Sequence, residues 1–453
     1  LGVKEAYSSS RSMEVVPELG TVSCKRESIF LPKKELYMET KNIKIGVIAD
    51  DFTGAGDAAS FLEKSGAETI MYNAVPNELQ VCDAAVIALK TRSVTPHAAV
   101  AEVKKAVDFL KENGCERIYF KYCSTFDSTP QGNIGVVADF LLEYLAQPFT
   151  ILCPSLPVNQ RIVKDGNLYV NGEKLSDSPL KNHPLNPMWD SYIPNLMKPQ
   201  SKYPCFIMRQ KELCEGEWKQ TIHALKCRYE RFYIVPDYET EQDGIRIAEA
   251  FKELPVLTGG SGLLPYVLEN DALLHPEKNQ TRRHGRTILL CGSCSAATRR
   301  QIAYFRKHHG CCYPVNANRV MNKELTAQDI LTYANQQAQP VLIYSDAVEQ
   351  DMRELKKDEA FDQASKCIEQ IMGEISSAAL SFGYERIVVA GGETSGAVIQ
   401  QLGFDGFHIG KSVDPGVPEL IPLKNERLTL ILKSGNFGAE DFFIKAIGGN
   451  THE

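Results

Sequence analysis

The chain repeats one pattern several times: a short apolar run, a turn, and an amphipathic stretch with helical spacing. In its first half the apolar runs lie at residues 44–49, 84–89, 117–121 and 150–153. The helical patterns lie at residues 58–64, 98–113 and 134–145. Strands that alternate with helices in this way predict an open, mainly parallel sheet covered by helices. The first unit is predicted as a strand, a glycine-containing turn over residues 50–57, and a helix.

The pattern continues along the rest of the chain. Further strands are predicted at residues 231–236, 255–259, 287–291, 341–344, 386–390 and 428–433, and a long helix at residues 358–382. We therefore predict an α/β protein with two open α/β (three-layer) domains and an interdomain cleft. The expected division is a leader of unknown role (1–40), a first domain (41–266), a linker (267–286) and a second domain (287–453).

An excursion at residues 154–200 interrupts this pattern and is rich in Pro, Asn and Gly. Within it, residues 168–175 predict a hairpin around an Asn-Gly turn. A long irregular segment inside a compact domain is usually functional or disordered, and the aromatic and apolar residues here favour function. His183 lies in this excursion, and both a contact with substrate and a structural role are open for it.

Composition excludes several classes of protein. Hydrophobic residues make up 43% and charged residues 24%, as in globular proteins. The chain has 50 Lys and Arg residues and 57 Asp and Glu residues, so its net charge is -7. This charge indicates no nucleic-acid partner. No run of about 18 apolar residues could span a membrane. The 13 cysteines lack paired spacing, which favours a reducing compartment, and we expect a cytoplasmic protein.

The first candidate site is the string ADDFTGAGD at residues 49–57, at the end of the first strand. Ligands of open α/β sheets bind beyond the carboxyl ends of the strands. Two adjacent carboxylates there, Asp50 and Asp51, could bind Mg²⁺, hold substrate hydroxyls or accept a proton. A helix cap would need only one of them, so we favour a functional role, with Asp57 as a less favoured proton acceptor.

Two more strand ends carry polar residues. The string KYCSTFDS at residues 121–128 offers Lys121, Ser124 and Asp127, and Arg92 follows the preceding strand. A cation beside hydroxyls and a carboxylate suits a polyhydroxylated anion, and an arginine can bind a carboxylate with two parallel hydrogen bonds. Three polar strand ends in one domain favour a ligand site over three surface turns.

Three glycine-rich strings follow predicted strands of the second domain. They are GSCS at residues 292–295, GGETSG at residues 391–396 and SGNFG at residues 434–438. Backbone N–H groups at such turns and helix starts bind phosphate. None has the spacing of a P-loop, but three in one domain predict a nucleotide site.

Taken together, these strings resemble the four-carbon acid sugar kinase family over about residues 45–447. The most specific are ADDFTG, GGETSG and LKSGNFG, the last at residues 432–438. Within the family, FKYCSTFDS at residues 120–128 and NHPL at residues 182–185 are similar to the 3-oxo-tetronate kinase branch. Threonate and erythronate kinases tend to carry a different string at the place of residues 120–128. The 40-residue leader matches nothing in the family.

The resemblance implies a sugar-acid domain, an ATP domain and chemistry between them. The residues it implies for the sugar acid are Asp50, Asp51, Arg92, Lys121, Ser124 and Asp127, with His183 added from the excursion. The residues it implies for ATP are Ser293, Gly391, Gly392, Glu393, Thr394 and Gly435. ATP and Mg²⁺ are the expected cofactors. Asp51 or Asp50 would accept the proton of the terminal hydroxyl, and the protein ligands of the metal are unassigned.

The expected reaction converts 3-oxo-tetronate to 3-oxo-tetronate 4-phosphate. Two alternatives stay open: a threonate or erythronate 4-kinase, and a sugar-acid sensor that binds its ligand without phosphoryl transfer. The glycine-rich strings argue against the sensor, because a sensor needs no phosphate site. The sequence leaves a homo-oligomer open.

Overall fold

The computed structural model describes residues 43–182, 187–268, 285–349 and 359–448. The predicted leader, most of the predicted linker and His183 lie outside these residues. We refer to described residues 43–268 as the N-terminal half and to described residues 285–448 as the C-terminal half.

The elements of the N-terminal half follow the predicted alternation. Its strands are β1 (Ile45–Ala49), β2 (Thr69–Tyr72), β3 (Ala84–Ala88), β4 (Ile118–Lys121), β5 (Phe149–Cys153), β6 (Arg161–Lys164), β7 (Asn167–Val170), β8 (Glu173–Lys174), β9 (Cys205–Met208), β10 (Phe232–Pro236) and β11 (Val256–Gly259). Its helices are α1 (Phe52–Lys64), α2 (Pro96–Glu112), α3 (Ile134–Tyr144), α4 (Ile193–Met197), α5 (Gln210–Glu215), α6 (Trp218–Arg228), α7 (Glu241–Phe251) and α8 (Leu264–Val267).

The C-terminal half is built in the same way. Its strands are β12 (Arg286–Cys291), β13 (Cys312–Val315), β14 (Val341–Ser345), β15 (Tyr384–Ala390), β16 (Gly406–Asp414), β17 (Val417–Pro422) and β18 (Thr429–Lys433). Its helices are α9 (Ala296–His308), α10 (Ala317–Met321), α11 (Ala327–Asn335), α12 (Glu359–Ser381), α13 (Gly392–Leu402) and α14 (Phe442–Ala446).

The two halves share one sheet. Among the described residues it has 15 strands in the order β13-β14-β12-β15-β18-β17-β16-β2-β3-β1-β4-β11-β5-β10-β9. The pairs are parallel except around β16 and β17, where β16 joins the halves by pairing antiparallel with β2. Each half keeps its own set of parallel strands, so the predicted α/β class is confirmed, and the continuous sheet is a feature the sequence pattern did not predict.

Buried side chains alternate between the two faces of the sheet, as the pleat of a strand requires. In β1, Ile45 and Val47 join one apolar core, whereas Ile48 joins the core on the opposite face. The first core continues across the halves, because Ile288 and Leu290 of β12 also belong to it. The apolar cores on both faces therefore fix the strand ends relative to one another.

One predicted boundary is wrong. The glycine-containing segment at residues 52–57 is not a turn, because α1 begins at Phe52 and includes it. The Asp51 side chain accepts a hydrogen bond of 2.6 Å from the Gly54 N–H and caps the helix. This cap and the burial of Phe52 and Ala55 outweigh the low helix propensity of the two glycines.

The excursion is more regular than predicted. The expected hairpin is present as β7 and β8, with Asn171 and Gly172 in the left-handed region (φ 53° and 83°). Strand β6 extends it to a separate three-stranded sheet. The elements β9, α5 and α6, and the β16–β17 hairpin, were not predicted.

Candidate functional site

Four predicted sugar-acid residues meet at one edge of the sheet. Strand β1 lies between β3 and β4, and Ala49 is level with Ala88 and Lys121. Asp50 and Asp51 follow β1, and Arg92 lies just beyond the end of β3. The chain turns to opposite sides of β1 at this point, which is where open α/β sheets form a ligand crevice.

Arg92 holds the two adjacent carboxylates together. Its Nε and Nη2 atoms donate to the two oxygens of Asp50 at 2.9 and 2.8 Å, and its Nη1 atom lies 2.9 Å from Oδ2 of Asp51. The planar fork of an arginine allows this double contact. Arg92, predicted to bind the substrate carboxylate, is therefore already engaged by two carboxylates of the protein.

The two carboxylates differ in exposure and in pKa. The Asp50 side chain is 6% exposed and that of Asp51 27%. Burial raises the pKa of Asp50, and the Arg92 charge offsets only part of that effect. Burial also opposes ionisation of Asp51, but Arg92, Lys121 and the Gly54 N–H together lower the pKa of Asp51. Asp51 is thus the accessible and readily ionised carboxylate.

Lys121 is buried beside a third carboxylate. Its Nζ atom lies 3.5 Å from Oδ2 of Asp57, and it donates to the Tyr122 carbonyl at 3.0 Å. Ser261, just beyond β11, donates to the same Asp57 oxygen at 2.6 Å. Burial raises the pKa of Asp57 despite the nearby Lys121. If Lys121 binds the substrate as predicted, its ammonium group must contact both the substrate and Asp57.

Ser124 and Asp127 lie in the loop after β4. Asp127 lines a hollow with Asp50 and Arg92, and its carboxylate accepts from Thr125 Oγ1 at 2.7 Å. Ser124 is buried, with 4% of its surface exposed, and it packs against Gly260. Between them Phe126 has φ 52°, a strained conformation for a non-glycine residue and one common near ligand sites.

The second predicted glycine string begins helix α13. Gly391 is the N-cap residue with φ 128°, and no described side chain caps the helix. Gly392 and Glu393 are exposed, and a Cβ atom on Gly392 would meet no described atom within 4 Å. The first N–H groups of an uncapped helix bind anions readily, so this exposed start suits a phosphate.

The three glycine strings are packed against one another. The strands that precede them, β12, β15 and β18, are adjacent and parallel. A Cβ atom on Gly292 would clash with Thr394, and one on Gly435 would lie 2.6 Å from Ser293 Oγ. The predicted nucleotide residues Ser293, Gly391, Thr394 and Gly435 thus come together, with Gly392 and Glu393 at the open edge.

A buried lysine that the sequence analysis did not single out lies under these strings. Lys433 Nζ donates to Thr298 Oγ1 at 3.0 Å and to the carbonyls of Ser434 and Gly435 at 3.1 and 3.2 Å. Because these bonds hold the two carbonyls towards the lysine, they fix the orientation of the third string. Burial lowers the pKa of Lys433 to about 8.

The two sets of residues approach each other across the halves. Gly416, in the turn between β16 and β17, lies against Oδ1 of Asp57, so closely that a Cβ atom there would clash. The Arg161 guanidinium lies 5.7 Å from the ring centroid of Phe437 in the third glycine string. A Cβ atom on Gly396 would lie 3.7 Å from Lys90 Nζ. Arg161 was missed because it lies in the excursion, outside any strand-end motif.

Two further properties concern the described part of the chain. No group of three or more His, Cys, Asp or Glu side chains there is arranged to hold a metal ion. None of the helices in that part is both long and apolar enough to cross a membrane.

Two family models match the chain. The model of a sugar-binding N-terminal domain matches residues 45–267, and the model of a nucleotide-binding C-terminal domain matches residues 288–443. The first range contains the carboxylates, Arg92 and Lys121. The second range contains the three glycine strings.

Relatives match over almost their whole length. A 3-oxo-tetronate kinase of Salmonella typhimurium is 40% identical over 419 residues, 89% of this chain and 98% of the relative. One of Pseudomonas savastanoi pv. phaseolicola is 38% identical over 413 residues, 89% of this chain and 96% of the relative. A crystal structure from Salmonella typhimurium LT2 has a TM-score of 0.77 at 37% identity, covering 89% and 98% of the two chains. The chain therefore belongs to the four-carbon acid sugar kinase family, whose members are phosphotransferases with an alcohol group as acceptor.

Proposed function

We propose that this chain transfers the γ-phosphoryl group of ATP to the terminal hydroxyl of 3-oxo-tetronate, giving 3-oxo-tetronate 4-phosphate and ADP. The observation that carries the proposal is the position of the exposed, uncapped start of α13, on the half that contacts the carboxylate site. A phosphate-binding helix start and a carboxylate cluster with an accessible Asp51 supply what a phosphoryl transfer to a hydroxyl requires.

Three close approaches between the halves support a shared reaction site. Asp57 with Gly416, Arg161 with Phe437 and Lys90 with Gly396 each join a residue of the carboxylate half to one of the glycine-rich half. A sugar acid beyond β1 and a nucleotide beyond β15 would therefore lie on the same side of the molecule. Phosphoryl transfer depends mainly on such positioning and on neutralising charge.

In the proposed step, the terminal hydroxyl oxygen attacks the γ-phosphorus and the bond from that phosphorus to the β–γ bridging oxygen breaks. The hydroxyl proton passes to Asp51, and ADP leaves with the electron pair of the broken bond. We assign the proton to Asp51 because its side chain is 27% exposed, against 6% for Asp50 and 2% for Asp57. Asp50 then holds Arg92 in place.

The nucleotide would be held by main-chain groups. The N–H groups of Gly392, Glu393 and Thr394 at the start of α13 would bind its phosphates, and the Ser293 hydroxyl and the Gly435 main chain would border them. When bound, Mg²⁺ would neutralise charge on the phosphate oxygens. Mg²⁺ in such sites needs one or two protein carboxylates at most, which fits a chain whose described residues hold no larger cluster.

The substrate assignment follows the relatives, which carry the name 3-oxo-tetronate kinase. The test is ADP release by the purified protein with ATP, Mg²⁺ and, in separate reactions, 3-oxo-tetronate, threonate and erythronate. We expect kcat/KM for 3-oxo-tetronate to exceed that for the other two acids at least about tenfold, or 1.4 kcal/mol. A reaction without sugar acid measures ATP hydrolysis by water.

Two results would contradict the proposal. A higher kcat/KM for threonate or erythronate would move the chain to that branch of the family. Calorimetric binding of a sugar acid, with no ADP released from any of the three, would instead identify a sensor. A homo-oligomer, a cytoplasmic location and the lack of a nucleic-acid partner stay predictions, which gel filtration, fractionation and a nucleic-acid binding assay would test.

A further inference from the structure

Arg161 begins strand β6, and its backbone is firmly held. Its carbonyl accepts a hydrogen bond from the Leu156 N–H at 2.8 Å, and its own N–H donates to the Leu156 carbonyl at 3.2 Å. Gln160 before it is in the left-handed region at φ 57°, which turns the chain into β6. The side chain of Arg161 therefore leaves a fixed point in the excursion.

The guanidinium of Arg161 is poorly satisfied by the protein. Its Nη1 atom donates to the Asn159 carbonyl at 2.8 Å, but its Nε atom is buried and finds no hydrogen-bond partner among the described residues. No described carboxylate forms an ion pair with it, whereas Arg92 has three close carboxylate contacts. A buried donor without an acceptor costs free energy unless a ligand supplies one.

The surroundings of Arg161 belong to both halves. Burial lowers the pKa of Arg161 and outweighs its attraction to Asp57 and Asp127 of the carboxylate site. In the other half, the ring centroid of Phe437 in the third glycine string lies 5.7 Å from the guanidinium carbon. An arginine that lies near both predicted ligand regions, has no carboxylate partner among the described residues and keeps an unpartnered Nε suits an oxyanion.

We propose that Arg161 binds an oxyanion of a bound reactant with its guanidinium. Resting on the proposed function, the oxyanion is either the γ-phosphoryl group of ATP or the carboxylate of the sugar acid, and both present two oxygens to an arginine fork. The bonds formed and broken are those of the proposed step, and Arg161 neither gains nor loses a proton. It neutralises charge and orients the reactant.

The test compares Arg161→Ala and Arg161→Lys with the parent protein by calorimetric titration of ATP, ADP and 3-oxo-tetronate, each with Mg²⁺, and by steady-state turnover. For a γ-phosphoryl contact, we expect ATP to bind at least tenfold more weakly to Arg161→Ala while ADP binds as to the parent. For a carboxylate contact, we expect the sugar acid to bind at least tenfold more weakly and both nucleotides as before. Either pattern supports the proposal and identifies which reactant supplies the oxyanion.

Turnover gives a second readout. In either case kcat/KM of Arg161→Ala should fall at least about a hundredfold, and added guanidinium should restore part of it. Arg161→Lys should recover less than half of the loss on a logarithmic scale, because an ammonium lacks the fork. Arg209→Ala is the matched control, since Arg209 is 62% exposed in an ion pair with Asp165 on the same half.

The proposal is overturned if ATP, ADP and sugar-acid affinities of Arg161→Ala and Arg161→Lys all stay within about threefold of the parent while both variants melt normally. Should Arg161→Ala fail to fold, Arg161→Lys keeps the charge and the aliphatic stem and carries the same comparison. A parent protein that binds ATP but phosphorylates no tetronate would refute the proposed function alone, because the ATP and ADP titrations would still test Arg161.

Discussion

The Nζ atom of Lys121 and the Oδ2 atom of Asp57 lie 3.5 Å apart, and both side chains are 2% exposed. Ser261 donates to that same carboxylate oxygen, whereas Oδ1 of Asp57 has no hydrogen-bond partner among the described residues and faces Gly416. The pair joins α1 to the end of β4, and Asp57 also meets the β16–β17 turn of the other half. The charge of Asp57 therefore affects both the stability of the protein and the contact between the halves.

Replacing Asp57 by Asn should destabilise the protein by about 3–5 kcal/mol, because it leaves the buried Lys121 ammonium without its paired carboxylate. Urea unfolding followed by fluorescence measures the loss. Replacing both partners, as Asp57→Leu with Lys121→Met, should recover part of it, since an apolar pair needs no desolvation of charge.

A surface pair provides the control for this prediction. Lys424 and Asp405 are 72% and 65% exposed, and Asp405→Asn should change the free energy of unfolding by less than about 1 kcal/mol. An equally small effect of Asp57→Asn would show that the buried pair contributes little to stability.

Replacing Asp51 by Asn should abolish phosphoryl transfer and leave the fold intact. The amide oxygen can still accept the Gly54 hydrogen bond that caps α1, but it cannot take the hydroxyl proton. Steady-state ADP release with saturating ATP and sugar acid measures the effect, and a thermal melt checks folding. Turnover within about tenfold of the parent, or 1.36 kcal/mol, would remove Asp51 from the assigned role.

Part of the site could be predicted from the sequence because of a simple rule. Asp50, Arg92 and Lys121 each lie at or just beyond the end of an apolar run, and the carboxyl ends of parallel strands meet at one edge of a sheet. The same rule brings Ser293, Gly391 and Gly435 together beyond β12, β15 and β18. Their roles in binding and catalysis stay predictions.

The remaining features depend on contacts that no local pattern encodes. Strand β16 pairs with β2 through residues as distant in sequence as His408 and Ile70, so the join between the halves left no periodic signal. Arg161 stands in an irregular segment, and only the folded chain shows that its guanidinium faces Phe437. The start of α1 was placed too late because two glycines indicated a turn, while capping by Asp51 extends the helix.

Neighbouring glycines at the start of α13 should respond differently to the same added methyl group. Gly391 has φ 128°, and a Cβ atom there would lie 2.9 Å from Thr394 Oγ1 and 3.2 Å from the Ser293 nitrogen. Gly391→Ala should therefore lower thermal stability. Gly392 lacks that strain and has no described atom within 4 Å of such a Cβ, so Gly392→Ala should melt like the parent.

ATP binding should also distinguish Gly392, which is proposed to lie against phosphate, from Gly391, which is constrained by packing. If phosphate approaches the main chain at Gly392, the methyl group of Gly392→Ala occupies its space, and ATP should bind at least about tenfold more weakly, or 1.4 kcal/mol. Binding of the sugar acid should not change. Calorimetric titration of each ligand decides the matter, and parent-like ATP affinity in a well-folded Gly392→Ala protein would exclude a phosphate at this helix start.

The contribution of Lys433 to the stability of the protein should rise with pH above about 8. Burial lowers the pKa of this lysine from 10.5 to about 8 in the folded chain. Between these values the unfolded chain holds a proton that the folded chain has released, so folding gains free energy as pH rises. Below about pH 8 both states are protonated and the cost of the buried charge is constant. Buried thiols such as Cys153 and Cys291, whose pKa burial raises from 9 to about 12, act in the opposite direction at the alkaline end of this range. The rise is therefore measured as the difference in the free energy of unfolding between the parent and Lys433→Met at pH 7.5 and 9.5, and is at most about 3 kcal/mol.

Replacing Lys433 by Met should remove that contribution and also change nucleotide binding. The protonated lysine attracts phosphate and fixes the Ser434 and Gly435 carbonyls, so the ATP affinity of the parent should fall as pH increases from 7.5 to 9.5. Lys433→Met should bind ATP weakly at both pH values, because it has neither the charge nor the hydrogen bonds. Lys307→Met, which removes an exposed lysine of α9, should keep the pH response of the parent. If the ATP affinity of Lys433→Met still fell with pH, the pH dependence of ATP binding would belong to another group.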